Sequence, residues 1–206
     1  VILSNIIVII SSPSGCGKTS ISQELLKKNK NLVSTISYTT RTPRKKEQHG
    51  KDYYFISLKK FKKLKDKNFF LEYAKIFNDY YATSKSELVN LLTKGHNILL
   101  PINWQGAKKI YCMFPKASIT IFLLPPSKKE LFNRLKKRGQ DSEKIIHQRM
   151  EALQDEISHF QEFDYTLVNK CFQKTCQNIQ YIIESELNKT YRSIILKKKF
   201  LLKLLS

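Results

Sequence analysis

The order of segments predicts an α/β chain in which strands alternate with helices around a parallel sheet covered on both faces. Three observations carry this. The run Ile6-Ile7-Val8-Ile9-Ile10 is apolar without alternation, as a strand buried on both faces requires. It passes directly into Ser12-Pro13-Ser14-Gly15-Cys16-Gly17-Lys18-Thr19, which opens an amphipathic segment. Two later apolar stretches, Asn97 to Leu100 and Ala117 to Leu124, are each followed by helical periodicity.

The loop from Ser12 to Thr19 is the chemically informative stretch. A strand, a glycine-containing turn and a Lys-Thr pair opening a helix is the layout of a phosphate-binding loop, and the spacing matches G-x-x-x-x-G-K-[ST] except that Ser12 stands in the first glycine position. Successive backbone N–H groups there face one concavity and favour an anion. Lys18 is expected to reach the β- and γ-phosphates of ATP, and the Thr19 hydroxyl to join the shell of a Mg²⁺ ion that keeps most of its waters.

Composition narrows the alternatives. A chain of 206 residues, 41% of them hydrophobic, makes one mid-sized domain, with or without inserted subdomains. No long uncharged apolar run is present and the amino end lacks a signal-peptide pattern, so a cytoplasmic protein with no membrane partner is expected. Cys16, Cys112, Cys171 and Cys176 form no C-x-x-C pair, which argues against a zinc site or a disulfide framework. The four histidines show no ligand spacing and read as surface or capping residues. The net charge of +20 is nearly all lysine, gathered around Lys59–Lys67 and after Leu187. Leu58, Phe61 and Leu64 keep helical spacing among the first group, a packed face under a solvated one. No basic strand interleaved with aromatics is present, so the surplus reads as compositional drift and no specific nucleic acid is expected. An oligomer is compatible with all of this.

In chain order, Ile21, Leu25 and Leu26 make the buried stripe of a first helix whose lysine-rich end complements the helix dipole. Leu32 to Thr40 alternates weakly, as one half-buried strand. After Pro125-Pro126, Ser127 is expected to cap a helix carrying Leu131 and Leu135, followed by another bearing Arg149. Phe163 to Asn169 reads as the last core strand, Ile179 to Leu187 as a closing helix, and Tyr191 to Ser206 as its basic amphipathic extension.

Between these elements stand YTTRTPR, HGKDYYF, FLEYA, NDYYATS, WQGA, LLPPS, RLKKRGQDSE, QRMEAL and DYTLVN. In that order, and with the phosphate loop, they closely resemble the guanylate kinases over nearly the whole chain. The resemblance implies a P-loop NTPase fold of three α/β/α layers, with a core (about 1–37, 89–126 and 150–206), an inserted GMP-binding subdomain (38–88) and a lid (127–149). It implies ATP-dependent phosphorylation of GMP. It assigns Arg41, Arg44, Tyr53 and Tyr81 to the phosphate of GMP, and Glu72, Ser37, Thr83 and Asn103 to guanine. It assigns Arg134, Arg138 and Arg149 to the lid, where with Lys18 and Arg41 they would act on the transferring phosphoryl group.

Physical reasons accompany the assignments. Arg41 and Arg44 flank a proline and can fork onto one phosphate. Guanine offers two adjacent N–H donors that a carboxylate such as Glu72 accepts, and adenine lacks the pair. Three departures from the family stand out. Pro101 and Asn103 replace an Asp-x-Asp pair, which is expected to weaken metal and guanine binding. Ala82 replaces a glycine, which would crowd the backbone if that position needs positive φ. The lost aspartates also raise an alternative, a guanylate-kinase-like module with weakened or lost catalysis that binds a protein or phosphopeptide.

Overall fold

The computed structural model describes residues 5–45 and 47–189. In chain order the elements are β1 (Ile7–Ser11), α1 (Lys18–Lys28), β2 (Leu32–Ser34), β3 (Tyr38–Thr39), β4 (Tyr54–Phe55), α2 (Leu58–Asp66), β5 (Phe70–Ile76), β6 (Asp79–Ser84), α3 (Lys85–Thr93), β7 (Asn97–Pro101), α4 (Trp104–Met113), β8 (Ser118–Leu124), α5 (Lys128–Arg138), α6 (Glu143–Glu151), α7 (Leu153–Ser158), β9 (Tyr165–Val168) and α8 (Phe172–Asn188). A five-stranded parallel sheet runs in the order β2-β7-β1-β8-β9, and a separate four-stranded sheet in the order β4-β3-β6-β5.

The unalternating β1 lies at the centre of the parallel sheet, with every residue buried. Its even-numbered residues, Val8 and Ile10, pack with Ile21 and Leu25 of α1 and with Ile179 and Ile183 of α8. Its odd-numbered residues, Ile7 and Ile9, pack with Leu88 and Leu92 of α3 and with Ala107 and Ile110 of α4. That makes three layers, the α/β/α arrangement that the patterning predicts. In such a sheet ligands bind beyond the carboxyl ends of the strands, and here the glycine loop, Ile102-Asn103 and Asn169 follow β1, β7 and β9 at one edge.

Several expectations change in detail. Leu32 to Thr40 is two short strands in two different sheets, because the Ile36 N–H donates to the Glu87 carboxylate at 3.1 Å instead of to a neighbouring strand. Ala82 lies within β6 opposite Tyr38 and Tyr73, and the positive-φ non-glycine residues among those described are Asn68 and Phe77, so Ala82 crowds nothing. Leu58 is 47% exposed, whereas Phe61, stacked on Phe70 and Tyr80, anchors α2 with Leu64 packed against the same cluster. Ser127 does cap α5, accepting the Glu130 N–H at 3.1 Å. The expected extension from Tyr191 to Ser206 lies outside the described residues.

Pro101 ends a central strand without damage to the ladder. The Asn97 N–H faces β2 and the Ile98 N–H faces β1, so alternation turns the position of residue 101 toward β2. The β2–β7 pairing ends at Ser34 and Leu99, so the N–H that proline lacks falls past the last pair of the ladder.

Candidate active site

The turn after β1 is built by Gly15 and Gly17, at φ +93 and +94. Neither tolerates a side chain. A Cβ on Gly15 would come within 2.9 Å of Leu135, and one on Gly17 within 2.7 Å of Asn169 Nδ2. Asn169 fastens the turn by donating to the Cys16 carbonyl at 2.7 Å, while its own Oδ1 accepts from Thr175. Cys16 is packed among Leu131, Leu135, Ile146 and Leu153 of α5, α6 and α7. Burial pushes its thiol up to about 12, so it is a packing residue and not a nucleophile. Ser12 is buried, with its hydroxyl turned onto the Pro13 carbonyl at 3.0 Å.

The loop opens α1 without a side-chain cap and without an acidic residue in the first turn, so an anion can take the free N–H groups. Lys18 lies beside them, its ammonium 3.4 Å from the Ile102 carbonyl. Burial lowers its pKa, and Glu156 opposes that. Glu156, on α7, lies near the Ser14 amide and Lys18, and desolvation raises its pKa. A half-buried carboxylate near the loop amides and the lysine stands where an anion is favoured. Thr19 is exposed at the helix start. Among the described residues no group of His, Cys, Asp and Glu could hold a metal by itself. One hydroxyl beside the phosphate loop fits a hard cation that arrives on a nucleotide and keeps its waters.

The second sheet carries the other set. The antiparallel pairing of β5 with β6 sets Glu72 opposite Thr83, whose hydroxyl donates to Glu72 Oε1 at 2.7 Å. Glu72 is 3% exposed, and burial raises its pKa against the pull of Thr83 and Lys109. Gly106 of α4 is the floor of this pocket. A Cβ there would lie 2.5 Å from Glu72 Oε2 and 3.3 Å from Asn103 Oδ1, so the two side chains converge over a residue that must be small. Asn103 Nδ2 donates to Gln105 Oε1. Ser37 immediately precedes Tyr38, and extending the Tyr38–Ala82 pairing by one residue sets it beside Thr83.

Arg41, Tyr53 and Tyr81 form one group. Arg41 Nε donates to the Tyr81 hydroxyl at 3.2 Å, and its guanidinium lies 5.6 Å from the Tyr53 ring centroid. Burial raises the Tyr53 pKa. Glu47 holds the group: both its oxygens accept from Arg41 Nη2 at 2.8 Å, and Oε2 also accepts the Arg44 N–H at 2.8 Å. Burial works against both charges, yet the pairing prevails, lowering the Glu47 pKa and raising that of Arg41.

Arg44 is joined to the glycine loop through Asp141 and Arg149. Arg44 Nη2 lies 3.5 Å from Asp141 Oδ1, Arg149 Nη2 donates to the same oxygen at 3.2 Å, and Arg149 Nη1 donates to Ser14 Oγ. Arg138 is on an exposed residue and donates to Gln140 at 2.6 Å. Partial desolvation lowers its pKa, and the Arg44 and Arg149 charges add to this. Arg134 stands apart from that trio. It donates to Glu130 at 2.9 Å and to the Asn169 carbonyl at 3.1 Å, on the flank of the loop.

Glu47, Asp141, Glu156 and Asn169 are therefore site residues beyond those that the sequence singles out. Glu47 alone has a local signal, three residues after Arg44. The other three are brought in by tertiary structure.

A parallel sheet with this glycine loop after its central strand, and a second sheet presenting arginines and a buried carboxylate to the same edge, defines a P-loop nucleotide-binding protein. A family model described as Guanylate kinase matches residues 4–186. The chain is 50% identical over 186 residues to the guanylate kinase of Blochmanniella pennsylvanica, covering 89% of this chain and 88% of that one. It is 47% identical to the guanylate kinase of Rickettsia prowazekii, covering 90% and 94%. Among solved structures, guanylate kinase from Anaplasma phagocytophilum matches with a TM-score of 0.79 at 34% identity, covering 95% of both chains. The chain belongs to the guanylate kinase family.

Proposed function

We propose that this chain is an ATP:GMP phosphotransferase, converting ATP and GMP to ADP and GDP. The observation that supports it most is the unbroken run of contacts from Arg44 through Asp141 and Arg149 to Ser14. Two sets of phosphate-binding groups are thereby joined through two side chains, Asp141 and Arg149, which supports transfer between two phosphates end to end.

In this reading the loop amides and Lys18 hold the β- and γ-phosphates of ATP, and Arg41, Arg44, Tyr53 and Tyr81 hold the phosphate of GMP. Glu72, with Ser37, Thr83 and Asn103, accepts the guanine N–H groups. An oxygen of the GMP phosphate attacks the γ-phosphorus as the bond to the β–γ bridging oxygen breaks. No covalent enzyme intermediate and no protein base is required, so catalysis is positioning and charge stabilisation. Arg134, Arg138 and Arg149 stabilise the charge on the moving group. Thr19 would help hold Mg²⁺, which when bound supplies charge neutralisation on the phosphates. The reading divides the chain into a core (1–37, 89–126 and 150–206), an acceptor-binding insertion (38–88) and a lid (127–149), whose closure excludes water that would otherwise take the phosphoryl group. It includes a cytoplasmic site of action, and among the described residues no helix is long and apolar enough to cross a membrane. The relatives carry the name of the enzyme, and none supports the alternative of a binding module without catalysis.

Coupled ADP release tests the proposal. With millimolar Mg²⁺ and ATP, GMP is expected to drive turnover at least about a hundredfold above AMP. No GMP-dependent ADP formation would refute it.

A further inference from the structure

Asp141 lies in the connection between α5 and α6, just before Ser142, which caps α6 by accepting the Ile145 N–H. It is 97 residues from Arg44 in sequence, yet its Oδ1 faces both the Arg44 and the Arg149 guanidinium groups, at 3.5 and 3.2 Å. Its Oδ2 is 3.1 Å from Arg149 Nη1. The carboxylate is 5% exposed, against 18% and 12% for the two arginine side chains. Three cations, Arg44, Arg138 and Arg149, gather here and repel one another. Asp141 is the carboxylate that bridges two of them. Among the described residues Arg149 Nε is buried and has no hydrogen-bond partner, so that guanidinium is not fully satisfied by its present contacts.

We propose that Asp141 is a positioning residue, holding Arg149 of the lid against Arg44 of the acceptor set so that the Arg149 fork meets the transferring phosphoryl group. The inference rests on the phosphotransferase reading above. It makes acceptor recognition and assembly of the transfer site one event, because the carboxylate that orients Arg149 is anchored on the residue that takes the acceptor phosphate. Asn at 141 keeps the shape and one acceptor but removes the charge that offsets two guanidinium groups.

The test is a double-mutant cycle with Arg149→Lys, read as kcat and KM for both nucleotides. Asp141→Asn is expected to lower kcat about tenfold with KM for ATP within about threefold, and to change kcat less than about twofold when Arg149 is already Lys. Equal losses in both backgrounds, or an unchanged kcat in the single variant, would overturn the proposal. So would a lower KM for GMP with kcat intact, since the carboxylate would then merely compete with the acceptor phosphate. Thermal unfolding checks that each variant is folded, and Asp141→Ser, expected to give the same non-additive pattern, carries the test if the Asn variant is not. Unmutated protein without GMP-dependent turnover would sink the functional reading itself, whereas an active parent with an indifferent Asp141 would sink this inference alone.

Discussion

Replacing Glu72 by Gln examines the basis of guanine selection with little change of shape. In the folded protein one carboxylate oxygen takes the Thr83 hydroxyl at 2.7 Å, and the other lies over Gly106, so the side chain cannot swing away. Gln presents an N–H₂ where guanine also presents donors. Two charge-assisted contacts at about 1.5–2.5 kcal/mol each are lost, or about 3–5 kcal/mol together. At about 1.4 kcal/mol per decade, kcat/KM for GMP should fall by about 10²–10⁴. AMP, which cannot use the carboxylate, should change by less than about threefold. The fold should not suffer, because burial already disfavours the charged form of Glu72 and a neutral isostere removes that cost. The assay is ADP release with each nucleotide, beside a thermal melt. An unchanged ratio of GMP to AMP activity in a folded variant would refute the reasoning.

Three further outcomes follow from the same contacts. The Glu72 pKa is raised on folding, so its contribution to stability is present below the ordinary carboxylate range and is lost as pH rises through the folded value; GMP binding needs the ionised form and should run the opposite way, with KM for GMP rising on acidification in the unmutated protein but not in Glu72→Gln. Gly17→Ala combines a left-handed φ with a Cβ 2.7 Å from Asn169 Nδ2, so it should cost about 2–4 kcal/mol in denaturant unfolding and abolish ATP binding by titration calorimetry. The double variant Pro101→Asp, Asn103→Asp should raise GMP turnover about tenfold at limiting Mg²⁺, since each restored charge adds a contact of about 1–3 kcal/mol, and equal rates at all Mg²⁺ concentrations would show that the two positions carry no such contact.

Where a residue's role follows from near neighbours in the chain, the sequence was readable. The apolar run before the glycine turn announced a central strand, and the Lys-Thr pair fixed where α1 begins. Ser127 precedes a helix and caps it through a local hydrogen bond. Partners distant in sequence were not readable. Nothing near Ile36 signals that Glu87 will take its N–H and divide one alternating stretch between two sheets. Glu156 reaches the Ser14 amide, and Asn169 reaches the Cys16 carbonyl, only once α7 and β9 have packed against the loop. Asp141, in a connection rich in polar residues, looks like any solvated turn until Arg44 arrives from the other sheet. Pro101 ends β7 beyond the last pair that β7 makes with β2, a placement that depends on how far a distant strand runs.

The central claim is that two nucleotides meet phosphate to phosphate between the glycine loop and the arginines. Titrating the protein with guanosine and adenosine joined 5′ to 5′ through about five phosphates tests it most directly, since such a ligand spans both sets at once. The account predicts one molecule bound per chain, at least about a hundredfold more tightly than ATP or GMP alone, and weakened by Arg149→Lys. Binding no tighter than that of ATP alone, or two molecules bound per chain, would contradict it.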